Sequence, residues 1–281
     1  MPRSWSLPEI ETLVNDYLAM FALELRGESF NKAAHNRSLQ KLIGRSHRSI
    51  EMKHQNVSAV LRDIGSRYID GYKPLGNYQD LLYDVVVERF TADRALAKLL
   101  VQQADAMPVE PTFDDILARL VGAPVGRRRG IGQVSEKRIP RPVRGAIDYL
   151  AREARNSALG SKGEAWVLAF ERARLIREGK EQLADRVEQV SVTIGASEGF
   201  DIRSFERNGV DRLIEVKATA GPIGMGFFVS PNEVETSRAH EARYHLYRPF
   251  SFNRDPHLFI VRGRLDRTCL LEASEFRAQV A

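Results

Sequence analysis

The stretch Gly199–Lys217, GFDIRSFERNGVDRLIEVK, restricts the fold more than any other part of the chain. Strand-like residues flank Asn208-Gly209, and Asn-Gly between two such runs is a strong signal for a tight hairpin turn. Successive side chains of a strand point to opposite faces, so Glu215 and Lys217 project one way and Ile214, Val216 and Ala218 the other. A carboxylate and an ammonium side by side, with Asp201 upstream, can hold a divalent cation and an attacking water against a phosphodiester. The hairpin register tests that grouping. A two-residue loop pairs Arg207 with Val210 and puts Asp201 opposite Val216, on the wrong face. A bulge, or a loop one residue longer, swings it beside Glu215 and Lys217. The competing reading is an ordinary exposed acid–base pair on a half-buried strand.

A chain of 281 residues can bury a sizeable core and accommodate two domains. An apolar fraction of 43% with 28% charged residues describes a soluble globular protein, and the formal charge of +5 favours a polyanionic partner. One cysteine, Cys269, excludes an internal disulfide framework and a multi-thiolate zinc site. It lies in the apolar run Thr268-Cys-Leu-Leu271 and is expected in a buried strand. The absence of a long apolar span or signal peptide points to a cytoplasmic protein.

Residues 1–105 read as a mostly helical domain. Ser6 and Pro8-Glu9 open a helix with Ile10, Leu13, Val14, Tyr17, Leu18 and Phe21 at helical spacing, and Gly27 ends it. After a polar stretch, Asn31–Arg37, a short helix from Ser38 to Ile43 stops at Gly44. A third helix, capped by Ser46 or Ser49, carries Ile50, Val57, Val60, Leu61 and Ile64 on one face. Arg48, Lys53, Gln55 and Arg62 are expected on the other. A short helix, a tight glycine turn and a longer basic helix outline a helix-turn-helix unit. Residues 26–73 hold ten Lys or Arg against four acids, a surplus of six. Arg45, Arg48, Lys53, Gln55 and Asn56, with Lys73 in the following loop, are the candidate DNA-binding residues, since Asn and Gln can read adenine edges. A solvated basic face is the alternative. His35, His47 and His54 lack cysteine partners and ligand spacing.

Residues 106–156 read as a basic linker with a short amphipathic helix from Phe113 to Leu120. Residues 123–152 carry eight Lys or Arg against two acids, so Arg127, Arg128 and Arg129 are candidates for tracking phosphates.

Residues 157–281 read as an α/β domain. A helix begins at Ser161–Glu164 and buries Trp166, Ala169, Phe170, Ala173 and Ile176. A strand follows from Val187 to Ile194, then the hairpin, then a short strand Phe227–Ser230. Ser230-Pro-Asn-Glu233 has capping-box spacing and predicts a helix running to about Leu246. Strands at His257–Arg262 and Arg267–Leu271 close the domain.

This segment resembles the PD-(D/E)xK nuclease superfamily, and more narrowly the domain that ends many bacterial defence proteins and the plant Nov protein. The resemblance rests on Gly199-Phe-Asp201, Ser204-Phe205, Ile214-Glu-Val-Lys217, the run ending at Glu233, Tyr244 and Tyr247-Arg248. The N-terminal region resembles a module found ahead of predicted bacterial endonucleases, through His35-Asn-Arg37, Gly44-Arg-Ser46, Ser49-Ile-Glu51, Lys53-His-Gln-Asn56, Ser58-Ala-Val-Leu61 and Gly71-Tyr-Lys-Pro74. The resemblance implies a restriction-endonuclease-like core, with Asp201, Glu215 and the Val216 carbonyl holding Mg²⁺. Lys217 would orient or deprotonate the water, and Glu164 would approach the metal or serve as a favourable charge near a helix start. Tyr244 and Arg248 would be core and surface, or phosphate contacts. The expectation is a Mg²⁺-dependent DNA endonuclease of restriction or defence type, acting as a homodimer on duplex DNA. The alternatives are a non-catalytic nucleic-acid-binding protein on the same scaffold and a nuclease acting on RNA.

Overall fold

The computed structural model describes residues 4–108, 113–124, 149–190 and 198–272. They group into two compact units. The first takes residues 4–107, 124, 149–157 and 219–227, and the second takes 108, 113–123, 158–190, 198–218 and 228–272.

In the first unit, α1 (Leu7–Arg26) starts at a capping box in which the Glu9 carboxylate accepts the Ser6 N–H at 2.8 Å. It ends at Gly27, whose φ of 77° is the left-handed conformation that glycine adopts without strain. Ile10, Leu13, Val14, Tyr17 and Phe21 are buried, as their spacing predicts. The second helix is longer than expected. α2 (Lys32–Ile43) takes in the polar stretch because Asn31 caps it, accepting the Ala34 N–H at 3.0 Å. Ser46, not Ser49, caps α3 (His47–Asp63). With α4 (Asp80–Ala92), α5 (Arg94–Asp105) and α6 (Tyr149–Ala154), these helices enclose one apolar core. Each large side chain fully buried there contributes roughly 1.5–3 kcal/mol. Some polar groups inside pair with one another, whereas the ring nitrogens of the fully buried His54 have no hydrogen-bond partner. Tyr17 Oη lies 2.7 Å from Ser58 Oγ and accepts the Ile69 N–H at 3.0 Å. The buried Glu153 carboxylate ties α6 to residues 219–220 by accepting the Thr219 hydroxyl and the Ala220 N–H.

The second unit is a five-stranded mixed sheet with helices. It contains α7 (Ser157–Arg177), α8 (Glu181–Ala184), β1 (Glu188–Gln189), β2 (Ile202–Phe205), β3 (Asp211–Val216), α9 (Pro231–Ala239), β4 (Tyr244–Phe250), β5 (His257–Arg262) and α10 (Leu265–Thr268). Strand order follows the chain. β1, β2 and β3 are antiparallel, β3 and β4 are parallel across the α9 crossover, and β5 is antiparallel to β4. A single turn of 3₁₀ helix, Ile116–Arg119, stands where a short helix was expected, and Leu120 bridges to Leu258 at the β5 edge.

One face of the sheet packs on α7. Trp166, Val167 and Phe170 meet Ile202, Ile214, Val216 and Tyr247 in a continuous core. Gly163 is required at this contact, because a Cβ there would collide with the Ala218 Cβ. Under the sheet the fully buried Glu171 carboxylate accepts from Arg174, Ser204 and Tyr247, and Arg212 Nη1 lies 3.4 Å away. The two arginines and the hydrogen bonds hold it ionised, although burial opposes its charge.

Four sequence expectations change. α7 leaves Ile176 exposed and buries Val167, Arg174 and Leu175 instead, a rotation of the expected stripe. The helix after Ser230 stops at Ala239, and Tyr244–Phe250 is a strand because its backbone completes the parallel ladder beside β3. Phe227–Ser230 forms no strand. Arg267–Leu271 is not a strand either. Asp266 anchors a helical turn through Arg264 and Arg238, which leaves Cys269 half-buried and Leu270 exposed. Of the strand expected from Val187 to Ile194, residues 191–194 lie outside the described residues.

Candidate functional site

The β2–β3 hairpin takes the longer loop. The ladder pairs Ile202 with Ile214 and Phe205 with Asp211. The Glu206 N–H bonds the Val210 carbonyl and the Gly209 N–H bonds the Glu206 carbonyl, enclosing a three-residue loop with Gly209 at φ 84°. This is the turn in which a left-handed glycine closes the hairpin. The register is thereby one residue away from the two-residue alternative, and Asp201 falls level with Glu215. The Asp201 N–H also bonds the Ile214 carbonyl, so the ladder is irregular where Asp201 enters it.

Five ionisable groups gather at this end of the sheet. Asp201 Oδ2 accepts the Val216 N–H at 2.7 Å. Lys217 Nζ lies 2.7 Å from Glu215 Oε1 and 3.0 Å from Glu233 Oε1, the latter in the first turn of α9. Glu164 is close enough to Asp201 to act on its titration, and one of its oxygens accepts from Gln189 Nε2 at 2.6 Å. It stands two turns inside α7, not at its start, so the helix-terminus reading of Glu164 is corrected. Tyr244 and Arg248 are both buried: the Tyr244 hydroxyl donates to the Gly199 carbonyl and Arg248 donates to the Lys217 carbonyl. Arg248 is thus not a surface residue. It supports the backbone of the lysine from behind.

Carboxylates outnumber ammonium groups here, and the titrations follow. Burial pushes the Asp201 carboxyl up to about 7, with Glu164 and Glu233 adding to it against the Val216 N–H and Lys217. Burial also drives Glu215 well above its ordinary value, and Asp201 drives it further. Burial alone would lower Lys217, but the Glu215 and Glu233 carboxylates more than offset it and keep the ammonium charged. Carboxyls with displaced titrations are enriched at functional sites, although ion-pair networks such as that of Glu171 displace them too. A bound cation relieves this surplus of negative charge, so the donor chemistry of Asp201 and Glu215 fits a hard divalent ion. Among the described residues no three His, Cys, Asp or Glu side chains form a metal-holding cluster. Further oxygens would come from the backbone, as expected of Val216, or from water.

The basic residues of the first unit divide into two sets. Arg45 pairs with Glu9 at 2.8 Å and lies over the Trp5 ring, which Lys53 approaches from 5.1 Å. Lys53 is buried and donates to Gln79, and the buried Asn56 donates to the Leu75 carbonyl at 2.6 Å. These three side chains hold the unit together, which corrects the outward-facing expectation. The reason is helical spacing: Lys53 is three residues after Ile50 and four before Val57, on the apolar stripe itself. Arg48 and Lys73 are exposed and Gln55 is half-buried. Arg37 and Lys41, an i,i+4 pair on α2 that helical spacing alone did not single out, are exposed as well. Arg127, Arg128 and Arg129 lie outside the described residues. No helix among the described residues is long and apolar enough to cross a membrane.

Comparison with curated proteins and with solved structures finds no match. The segment that carries Glu164, Asp201, Glu215, Lys217 and Glu233, residues 163–261, matches the family described as Protein NO VEIN, C-terminal.

Proposed function

We propose that the second unit is a PD-(D/E)xK-type nuclease core, that the protein is a Mg²⁺-dependent endonuclease, and that its substrate is DNA bound by the first unit. The observation that carries this reading is the grouping of Asp201, Glu215 and Lys217 at one end of a β-hairpin, with negative charge in excess. The antiparallel β1–β2–β3 meander, the α9 crossover and the parallel β4 support the core assignment. Asp201 and Glu215, with the Val216 carbonyl, would hold Mg²⁺. The ion supplies Lewis acidity toward a phosphate oxygen. Lys217 remains an ammonium, so it donates a hydrogen bond to the attacking water or to the phosphate and offsets charge developing there. With its titration raised, it suits orienting the water better than taking its proton. The water oxygen bonds to phosphorus and gives up a proton to solvent as the ester P–O bond breaks, and the leaving oxygen takes a proton from solvent. The α2–α3 pair would act as a helix-turn-helix-like element, contacting phosphates through Arg37, Lys41 and Arg48 with Lys73 nearby. One metal cluster serves one strand, so duplex cleavage is most simply the work of two chains, a homodimer at some stage.

The test is a substrate panel of duplex, single-stranded and base-modified DNA and RNA, each with Mg²⁺ or a chelator. Wild-type protein should cut DNA only with Mg²⁺. Lys217→Ala should lower kcat at least 10³-fold, about 4 kcal/mol in the transition state, while DNA affinity changes less than about threefold. Binding without cleavage on every substrate would replace the enzyme with a scaffold that grips nucleic acid. Cleavage confined to RNA would change the substrate.

A further inference from the structure

This inference rests on the nuclease reading and concerns Glu233, which its sequence context assigns to a helix cap. Its two carboxylate oxygens serve different elements. Oε2 accepts the Ser230 N–H at 3.0 Å, and the Ser230 hydroxyl accepts the Glu233 N–H at 3.2 Å, which completes the capping box of α9. Oε1 accepts from Lys217 Nζ at 3.0 Å. The same ammonium lies 2.7 Å from Glu215 Oε1, so two carboxylates on separate elements share it.

A cap uses one oxygen, and the second oxygen's ion pair has a consequence for the metal. A cation seated on Asp201 and Glu215 competes with the Lys217 ammonium for the Glu215 oxygens. An ammonium with Glu215 as its sole partner would have to be left unpaired in a largely buried position, where the cost is high. Glu233 provides it with a second partner outside the Asp201–Glu215 pair. We propose that Glu233 is a positioning residue that docks the Lys217 ammonium on the first turn of α9, releasing Glu215 to the cation and keeping the ammonium beside the reacting phosphate.

Two substitutions separate this role from capping. Glu233→Gln keeps an amide oxygen for the Ser230 N–H and loses the charge. Ser230→Ala removes the hydroxyl cap and leaves the ion pair in place. Full-length wild type and both variants are titrated with Mn²⁺ by calorimetry, and cleavage of duplex DNA is measured at saturating Mn²⁺. Glu233→Gln should weaken Mn²⁺ binding at least fivefold and lower kcat at least tenfold, with KM for DNA within twofold. Ser230→Ala should lower Tm and leave Mn²⁺ affinity and kcat within twofold. Equal behaviour of the two variants, or unchanged Mn²⁺ affinity and kcat in Glu233→Gln, overturns the inference and leaves a cap. Where Glu233→Gln does not fold, Glu233→Asp decides: it keeps the charge at shorter reach and should weaken Mn²⁺ binding at least twofold, and an unchanged affinity overturns the inference. A wild type that neither binds Mn²⁺ nor cleaves removes the nuclease reading and this inference with it. A wild type that does both, beside an indifferent Glu233→Gln, removes this inference alone.

Discussion

Asp201 shows how a single side chain in the candidate site works against the fold. Its carboxyl moves from an ordinary 3.8 up to about 7 because burial penalises the charged form. The folded chain therefore binds this proton more tightly than the unfolded chain does. Stability contributed by the group is complete below the unfolded value and is lost as pH rises through the folded one. Measured with chelator present, wild type should lose stability relative to Asp201→Asn between about pH 4 and pH 7. By pH 8 the variant should have the higher Tm. A stability gap that does not change over this range would show that Asp201 is solvated in the native state. Millimolar Mg²⁺ at pH 8 should raise the Tm of wild type and leave Asp201→Asn unchanged, since only a ligand that binds the native state stabilises it.

At the scale of elements, two glycines place Asp201, and they do so differently. Gly209 (φ 84°) and Gly199 (φ 74°) are both left-handed. A Cβ on Gly209 meets nothing within 4 Å, whereas one on Gly199 would collide with the Thr236 hydroxyl of α9. Gly209→Ala should cost about 1 kcal/mol, the strain of the left-handed conformation alone, and leave metal binding intact. Gly199→Ala adds overpacking to strain and should cost roughly 3 kcal/mol. It should also weaken Mn²⁺ binding, because relief of the clash moves the chain two residues before Asp201. Chemical denaturation and calorimetry on the two variants check both. The three-residue loop belongs to this scale too: a single residue in the turn decides whether Asp201 shares a face with Glu215.

For the molecule as a whole, labour would be divided between a helical unit that binds and a mixed α/β unit that cuts. The outward basic residues then carry the salt dependence of binding. Replacing Arg37, Lys41 and Arg48 by Glu should weaken DNA binding and flatten the slope of log K against log salt by about 0.9 for each phosphate no longer neutralised. Lys53→Ala should instead lower Tm, since Lys53 is buried against Trp5 and Gln79. Filter binding at several salt concentrations, with thermal melts alongside, distinguishes the two sets. If Lys53→Ala flattens the slope and the α2–α3 triple variant does not, the DNA surface has been placed on the wrong side of the unit. Sedimentation of the DNA complex tests the dimer.

Local rules were enough for several features. Ser6 and Ser230 cap helices because their hydroxyls stand three residues before a glutamate, and α1 buries the stripe its spacing predicts. The two alternatives for the hairpin were legible, as was the condition under which Asp201 joins Glu215 and Lys217. Short-range pattern did not show that Tyr244–Phe250 leaves α9 to become a strand, since that outcome depends on an open ladder beside β3. Helical spacing already put Lys53 on the Ile50–Val57 stripe, but distant partners, Gln79 for Lys53 and the Leu75 carbonyl for Asn56, are what allow these polar side chains to be buried. What residue order alone determined were the caps, the turn and the alternation of faces, all fixed by neighbours a few residues apart. Which hairpin register formed, and which charges met at its end, was decided by packing between segments remote in the chain, where burial makes each unpaired polar group costly.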